Sequence, residues 1–222
     1  YKNRYILNTE KTLRHAVIIY NPLAGRGKSA YYAKQCKRYL EHTNSEQHTW
    51  HVCGVIATEY AGHIESVLAQ KWGEKAHLII LVGGDGTLRE LVAGLRFAQL
   101  TVDIAFIPMG NANVVARELD IPLQPQAAIS LISSGQRKKI DLCVLKQYEK
   151  NDVIFLAMLE IGFGAKIVQL VGQLRNHSLK RLYRFWGDLV YAIAGLLALR
   201  GLGQDTFNIE TANSELKQRS AH

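Results

Sequence analysis

Three glycine-rich turns carry the residues of this sequence whose types and spacing are best suited to chemistry. Glycines let a ligand approach the backbone closely, and a turn that opens a helix presents unpaired N–H groups and partial positive charge. Turns of this kind are typical of sites that bind phosphate groups. They cover residues 21–29, 83–87 and 108–113.

The first turn reads NPLAGRGKS and places two cations, Arg26 and Lys28, next to its glycines. It is not a Walker A loop, because that motif needs a glycine five residues before the Gly-Lys pair, and Pro22 stands there. Taken alone, this turn is either a phosphate-binding turn or an ordinary connection between a strand and a helix.

The second turn reads GGDGT and follows a continuous apolar run, residues 76–82. An ordinary loop needs one or two glycines, so three among five residues favour a binding function. A bare carboxylate repels phosphate, and Asp85 therefore indicates that a metal or a hydroxyl group is held at this turn. The alternative role for Thr87 is that of a helix N-cap.

The third turn reads PMGNAN and also follows a predicted strand. Its Asn111 and Asn113 side chains suit either a nucleotide or the capping of a helix. Since parallel strands end at the same edge of a sheet, the three turns are expected to lie together where such sheets bind ligands.

Short apolar runs alternate with helix-like stretches through the first half of the chain. This alternation predicts an α/β fold, a parallel sheet with helices on both faces. The predicted strands are residues 15–20, 50–57, 76–82 and 103–107, and the predicted helices are residues 28–42, 59–71, 88–98 and 111–119.

The pattern changes after Pro122. We therefore predict an α/β nucleotide-binding domain over residues 1–122, followed over residues 123–222 by the beginning of a second, β-rich domain with inserted helices. The elements expected in this second part are a helix at 126–134, a strand pair at 137–145 and 153–160, helices from 162 and over 178–200, and a strand from 206.

The composition is that of a globular protein, with 48% hydrophobic and 21% charged residues, which excludes a disordered or fibrous chain. The net charge of +8 suits nucleic acid, an anionic membrane or a phosphorylated ligand. We recognise no DNA- or RNA-binding motif and expect no nucleic-acid partner. The most apolar run, residues 189–199, is too short to span a bilayer.

Cys36, Cys53 and Cys143 are an odd number of cysteines without a CxxC pair. This pattern indicates buried thiols in a reducing compartment rather than a disulfide framework. The first residues also lack the apolar core of a signal peptide. A cytoplasmic location is therefore expected.

Together, these motifs resemble the catalytic domain of the diacylglycerol kinase family, which includes sphingosine and ceramide kinases and soluble bacterial lipid kinases. The second turn alone is less specific, because NAD kinases and phosphofructokinases share it. The resemblance covers nearly the whole chain. The segments that carry it are 21–28, 83–87 with Glu90, 108–122, 140–141, 162–165, and Lys180 with Gly187 and Tyr191.

The resemblance implies an ATP-dependent lipid kinase that uses Mg²⁺ and phosphorylates a hydroxyl of a membrane lipid such as diacylglycerol or a sphingoid base. Asp85 would reach the metal through Mg–ATP. Thr58 is equally well explained as the N-cap of the helix at 59–71, and Glu90 as a solvent-facing side chain. The residues that the resemblance assigns to ATP are Asn21, Pro22, Leu23, Ala24, Gly25, Lys28, Thr58, Gly83, Gly84, Asp85, Gly86, Thr87, Glu90, Gly110, Asn111 and Asn113.

The sequence departs from the family pattern in two places. In the third turn, Asn111 replaces a nucleotide-contacting threonine, and Val114 replaces an acidic or variable residue. The general base of the family lies in a late Asp-Gly or Glu-Gly motif, and nothing after Phe207 matches it. The base is therefore expected outside this sequence and no catalytic residue is assigned. The alternative is an inactive, nucleotide-binding homologue.

The segment 174–186 mixes cations with aromatic residues. One interpretation is contact with an anionic membrane surface through Lys180, Arg181 and Arg184. The other is an amphipathic helix whose aromatic residues face the core and whose basic side faces water. The first predicts a protein associated peripherally with the membrane that carries its lipid substrate. The sequence is also compatible with a homo-oligomer.

Overall fold

The computed structural model describes residues 12–43, 48–72, 76–134, 137–146, 152–159, 162–176, 193–198, 205–211 and 214–221. The chain divides into two compact units, residues 1–157 and 158–222. This division falls later than the boundary expected near residue 122, because a strand pair that follows Pro122 belongs to the first unit. The assignment of domains stays a prediction.

A four-stranded parallel sheet forms the centre of the first unit, which confirms the predicted α/β fold. Its strands lie in the order β2-β1-β3-β4. Residues of β3 are buried along its whole length, as its continuous apolar sequence predicts. The strands are β1 (Thr12–Tyr20), β2 (His48–Ala57), β3 (Leu78–Gly83) and β4 (Asp103–Pro108).

Helices connect these strands and cover the sheet. In the first unit they are α1 (Ser29–His42), α2 (His63–Val67, continued by a π-helical turn over Leu68–Trp72), α3 (Asp85–Phe97), α4 (Val114–Glu118) and α5 (Pro125–Ser134). The helix expected at 88–98 begins three residues earlier, within the GGDGT turn, and the one expected at 59–71 begins four residues later.

The core consists of two apolar layers, one on each face of the sheet. On one face, α1 and α5 pack against β1 and β3 through residues that include Ala33, Cys36, Leu40, Ala128 and Ile129. On the other face, α2 and α3 pack through residues that include Ile64, Val67, Leu88, Leu91 and Leu95. The sheet is therefore held rigidly, and the turns at its ends are positioned by it.

The expected strand pair after Pro122 is present but shorter than predicted. It consists of β5 (Cys143–Leu145) and β6 (Val153–Phe155), which run antiparallel. Of the three cysteines, all of which are free, Cys36 is buried as expected. The expectation of a buried thiol is wrong for Cys53, which is partly exposed, and for Cys143, which is exposed.

The second unit contains α6 (Phe163–Asn176), a helical segment at 193–198, and the antiparallel strands β7 (Asp205–Thr211) and β8 (Ser214–Ala221). The predictions of a helix from 162 and a strand from 206 are confirmed, whereas β8 was not predicted. Most of the helix predicted at 178–200 lies outside the described residues. Within the part of the chain that the structure describes, no helix has both the length and the apolar character needed to cross a membrane.

Candidate functional site

The ends of β1 and β3 mark the place where the sheet changes its direction of winding. These two strands are neighbours, yet the chain leaves β1 towards α1 on one face and β3 towards α3 on the other. The backbone N–H of Asn21 donates to the Val82 carbonyl oxygen at 3.0 Å and holds the two strand ends together. In open α/β sheets, ligands bind at such a point, at the carboxyl ends of the strands.

Backbone hydrogen bonds tie the three glycine-rich turns to one another. The N–H of Gly25 in the first turn donates to the Met109 carbonyl at 2.8 Å, and the N–H of Met109 donates to the Gly83 carbonyl at 2.6 Å. Gly25 has a φ of +59°, and a Cβ there would overlap the Met109 side chain. The sequence-predicted convergence of the turns is therefore present, and a side chain at Gly25 would displace the end of the Met109 side chain.

Asn21 braces the first turn and links it to the second. Its Oδ1 accepts the Leu23 N–H at 2.9 Å, and its Nδ2 donates to Thr87 Oγ1 at 3.3 Å. Its carbonyl accepts the hydroxyl of the fully buried Ser29 at 2.6 Å. Sequence reasoning gave Ser29 no role, although its place as the last residue of the turn and the first of α1 was the available signal.

The second and third turns touch through their glycines. A Cβ on Gly84 would lie 3.0 Å from the Cα of Gly110, and one on Gly110 would lie 2.8 Å from the Cα of Gly84. The 2.8 Å contact is shorter than real Cβ contacts, and the 3.0 Å contact would force the two backbones apart by a few tenths of an ångström. These two glycines are thus explained by backbone packing.

The Asp85 carboxylate is hydrogen-bonded to the start of α4. Its Oδ2 accepts the Val114 N–H and its Oδ1 accepts the Val115 N–H, both at 3.1 Å. The carboxylate therefore caps the start of α4, where N–H groups and helix dipole compensate its charge. This contact removes the objection that an acid is misplaced in a phosphate-binding turn.

The N-terminus of α3 is left open to a ligand. The helix begins at Asp85 with Gly84 as its N-cap, and a glycine has no side chain with which to cap the first N–H groups. The first N–H groups of a helix lack intrahelical acceptors. A Cβ built on the exposed Gly86 meets no atom within 4 Å. Space and donors for an anion therefore coincide at this point.

Asn113 shapes the third turn with its own side chain. Its Oδ1 accepts the Gly110 N–H at 2.8 Å and its Nδ2 donates to the Gly110 carbonyl at 3.0 Å. It is 8% exposed and has a φ of +49°. Asn113 thus holds the turn closed, while Asn111 lies exposed beside it.

Glu90 also accepts backbone hydrogen bonds. Its Oε1 takes the N–H groups of Gly62 at 2.9 Å and Ile64 at 3.2 Å, at the start of α2. The alternative of a solvent-facing glutamate is wrong. The N-cap alternative for Thr58 is wrong as well, because Gly62 is the N-cap of α2, and the Thr58 N–H donates to the Tyr20 carbonyl at 2.9 Å.

The remaining predicted residues fall into two groups. Pro22, Leu23 and Lys28 are exposed on the first turn, where the lysine adds positive charge to the site. Lys180, Arg181 and Arg184 lie outside the described residues. In the part of the chain that the structure describes, this edge of the sheet holds no group of three histidine, cysteine or acidic side chains close enough to share a metal ion.

The region that contains the three turns is similar to known proteins. The family model described as "Diacylglycerol kinase catalytic domain" matches residues 15–145. A diacylglycerol kinase from Staphylococcus carnosus is 30% identical, and the match covers 82% of this chain and 54% of that protein. A Pseudomonas aeruginosa protein named "probable lipid kinase YegS-like" is 35% identical over 53% of this chain and 35% of its own length.

A crystal structure of a diacylglycerol kinase from Bacillus anthracis str. Sterne aligns at 26% identity with a TM-score of 0.47. The alignment covers 58% of this chain and 42% of the chain in that structure. In each of these alignments, the chain spans about half or less of the length of the protein that it matches.

Proposed function

Because the chain belongs to the diacylglycerol kinase catalytic-domain family, we propose that it forms the nucleotide-binding part of an ATP-dependent lipid kinase. The enzyme transfers the γ-phosphate of ATP to a hydroxyl of a membrane lipid, such as diacylglycerol or a sphingoid base. The observation that carries this proposal is the open N-terminus of α3 at the end of β3, with the Asp85 carboxylate turned towards α4.

The geometry fits the phosphate groups of ATP. Free N–H groups and the dipole of α3 attract an anion, and the open space at Gly86 lets it approach the backbone. Lys28 lies exposed on the adjoining first turn and supplies a full positive charge. Asn21 and Thr87 fix the distance between these two turns by their side-chain hydrogen bond.

Magnesium would be held chiefly by the phosphate oxygens, because both oxygens of Asp85 already accept N–H groups. Mg²⁺ commonly keeps several waters and binds through one or two carboxylates together with substrate phosphates. When bound, the ion neutralises charge that develops on the transferred phosphoryl group. Asp85 then acts on this site mainly as a positioning residue that fixes α4 and the third turn.

The lipid hydroxyl needs a base to take its proton, and we assign that role to no residue of this chain. The contribution of the described residues is to orient the phosphates at the sheet edge. Phosphoryl transfer depends mainly on such positioning and on stabilisation of charge.

The decisive variant is Gly86→Ala, tested by calorimetric titration of the chain with Mg–ATP. The added methyl group enters the open space at the start of α3, so we expect ATP affinity to fall about tenfold or more, which corresponds to about 1.4 kcal/mol. The same change should raise stability by up to about 1 kcal/mol, because alanine replaces glycine in a helix.

Gly195→Ala is the matched control, because it also replaces a helical glycine and its Cβ would meet only Ile167 Cδ1, at 3.9 Å. It should leave ATP affinity unchanged. Equal affinity of the Gly86→Ala variant and the parent chain would overturn the proposed phosphate position.

Transfer is tested separately, with γ-labelled ATP and micelles that contain diacylglycerol or sphingosine. Labelled lipid supports the kinase. Because we assign the proton-accepting base to no residue of this chain, we expect these 222 residues to bind ATP without labelling lipid, and labelled lipid would show that the base lies within them.

Peripheral membrane contact is the part of the proposal that rests on sequence alone. Replacement of Lys180, Arg181 and Arg184 by glutamine should weaken binding to anionic vesicles by up to about 3 kcal/mol, since each cation near such a surface contributes about 1 kcal/mol. Vesicle sedimentation measures this change. Unaltered binding would leave the interpretation of a solvated basic face.

A further inference from the structure

We propose that His15, His51 and Cys53 form a binding site for a divalent transition metal, with Zn²⁺ as the expected ion. The ligand atoms of these three side chains all lie within 4.8 Å of one another. The cluster is at the amino end of the sheet, whereas the nucleotide-binding turns are at the carboxyl end. At about 3.3 Å per residue along β1, His15 and Asn21 are about 20 Å apart.

Pairing of β1 with β2 brings the three residues together from distant parts of the sequence. His15 on β1 lies directly opposite His51 on β2, and their rings meet edge to face with centroids 5.7 Å apart. A β-bulge follows: Ala16 pairs with Val52, and Val17 pairs with Gly54. Cys53 is the extra residue of this bulge, and bulges commonly re-aim a side chain at a functional site.

The distance between two of the ligand atoms already suits a metal. His15 Nδ1 and Cys53 Sγ are 3.4 Å apart. Zn–N and Zn–S bonds of about 2.05 and 2.3 Å at a tetrahedral angle place the two atoms about 3.6 Å apart. The His51 side chain is exposed and can move the short distance needed to complete the set.

His77 positions His15 through two hydrogen bonds to its backbone. Its backbone N–H donates to the His15 carbonyl oxygen at 2.8 Å, and its Nδ1 accepts the backbone N–H of His15 at 3.0 Å. The two rings stack with centroids 5.7 Å apart and an angle of 23° between their planes. Since its Nδ1 is occupied by this hydrogen bond, His77 is a positioning residue and not a ligand through that nitrogen.

The donor set selects the class of ion. Two imidazoles and one thiolate suit Zn²⁺ and other transition metals, whereas Mg²⁺ and Ca²⁺ require oxygen ligands. Three protein ligands leave a fourth position for water. The bound ion would link β1 to β2 directly and, through His15, would be connected to His77, the residue that precedes β3.

Cobalt is the probe for this site, because a thiolate bound to Co²⁺ gives a charge-transfer band in the near ultraviolet and tetrahedral Co²⁺ absorbs in the visible. We expect the reduced chain to bind one equivalent with both signatures, and Zn²⁺ to displace the cobalt. At a zinc concentration one hundred times the Kd, the melting temperature should rise by about 5 to 10 °C.

Cys53→Ser should abolish the charge-transfer band, and His51→Ala should weaken Co²⁺ binding at least tenfold. Cys143→Ser and His42→Ala are the controls, since they remove an exposed cysteine and an exposed histidine elsewhere in the chain. They should change neither the charge-transfer band nor the affinity for Co²⁺. His77→Phe should keep the band and the stoichiometry but weaken Co²⁺ binding, by less than His51→Ala does, because it removes the acceptor of the His15 backbone N–H and leaves all three ligands in place.

The proposal is overturned if the chain shows no charge-transfer band, if Cys53→Ser retains it, or if Cys143→Ser loses it equally. These readings do not depend on ATP or lipid, and they are independent of the proposed kinase function. Circular dichroism of each variant without metal distinguishes loss of a ligand from loss of the fold.

Discussion

The Asp85 carboxylate accepts a hydrogen bond from the backbone N–H of Val114 at 3.1 Å, across 29 residues of sequence. Its second oxygen accepts the N–H of Val115 at the same distance. The acid of the GGDGT turn thus holds the third turn and the start of α4 against the second turn. The groups that Asp85 fixes line the edge of the sheet where we propose that ATP binds.

Asp85→Asn should lower the free energy of unfolding by about 1–3 kcal/mol. Asparagine has one acceptor oxygen instead of two, so one of the N–H groups at the start of α4 loses its partner, and the remaining hydrogen bond loses its charge assistance. Urea denaturation measures the change. Asp120→Asn, at an exposed aspartate near the end of α4, is the control and should change stability by less than about 0.5 kcal/mol.

If Asp85→Asn unfolds at the same urea concentration as the parent chain, the two N–H contacts contribute nothing to stability. Any loss of ATP binding in that variant would then be a direct effect on the ligand and its metal.

Glu90→Ala should open the start of α2. The substitution removes the acceptor of the Gly62 and Ile64 N–H groups and should cost about 1–3 kcal/mol if they are left without a partner. Amide hydrogen exchange should accelerate at these two residues first. Glu90→Gln keeps a carbonyl oxygen in the same place and should lose less than about 1 kcal/mol.

Equal damage from Glu90→Ala and Glu90→Gln would contradict this account, because the charge rather than the acceptor oxygen would then be the essential property. Unaltered exchange at Gly62 and Ile64 in the alanine variant would contradict it too.

Alanine substitutions should distinguish Gly84 and Gly110, which pack against each other, from Gly86, which faces open space. Gly110→Ala places a Cβ 2.7 Å from Asn113 Oδ1 and 2.8 Å from the Gly84 Cα, so overpacking should cost about 1–3 kcal/mol. Gly84→Ala meets the Gly110 Cα at 3.0 Å and should be destabilising for the same reason. Gly86→Ala, which meets nothing within 4 Å, should be neutral or stabilising.

Thermal unfolding of the three variants without nucleotide measures this order. A stable Gly110→Ala variant would show that the second and third turns can separate without loss of stability. In that case the contact between these two turns would not be needed to hold the candidate site in place.

The sheet was predictable from sequence because burial on both faces leaves a continuous apolar run. Residues 76–82 were expected as a strand, and β3 runs over Leu78–Gly83. The start of α3 was placed too late, because the glycines of the GGDGT turn suggested a loop, whereas the first helical residue is Asp85. Strand β8 was missed because its sequence is polar, and its pairing with β7, such as Phe207 with Arg219, is visible only in three dimensions.

The candidate site was predictable in its location but not in its contacts. Motif spacing placed three turns at one sheet edge, and the structure joins them there. Asp85 and Glu90 were expected to contact ATP, but their hydrogen bonds reach residues 114 and 62, and no local pattern encodes such distant partners. The same reason explains why His15, 36 residues before His51, was not recognised as part of a cluster.

Alkaline pH should destabilise the fold through Cys36. Burial raises the pKa of this thiol from 9.0 to about 12. Below pH 9 the thiol is protonated in both the folded and the unfolded chain, so the full stabilisation is present. Between pH 9 and about 12, the unfolded chain loses the proton and the folded chain keeps it. The free energy of unfolding should therefore fall by up to about 1.4 kcal/mol per pH unit.

The measurement is urea unfolding at pH 8, 9, 10 and about 10.5, with Cys36→Ala beside the parent chain. Tyrosine and lysine titrate in the same pH range. The informative quantity is therefore the difference between the parent chain and Cys36→Ala in the slope of the free energy of unfolding against pH. The variant should be less stable at pH 8, because the smaller side chain leaves a cavity between α1 and the sheet. It should, however, lose less stability as the pH rises. Cys143→Ala, at an exposed thiol, should follow the parent slope. Parallel slopes for Cys36→Ala and the parent chain would show that the Cys36 thiol ionises as readily in the folded chain as in the unfolded one.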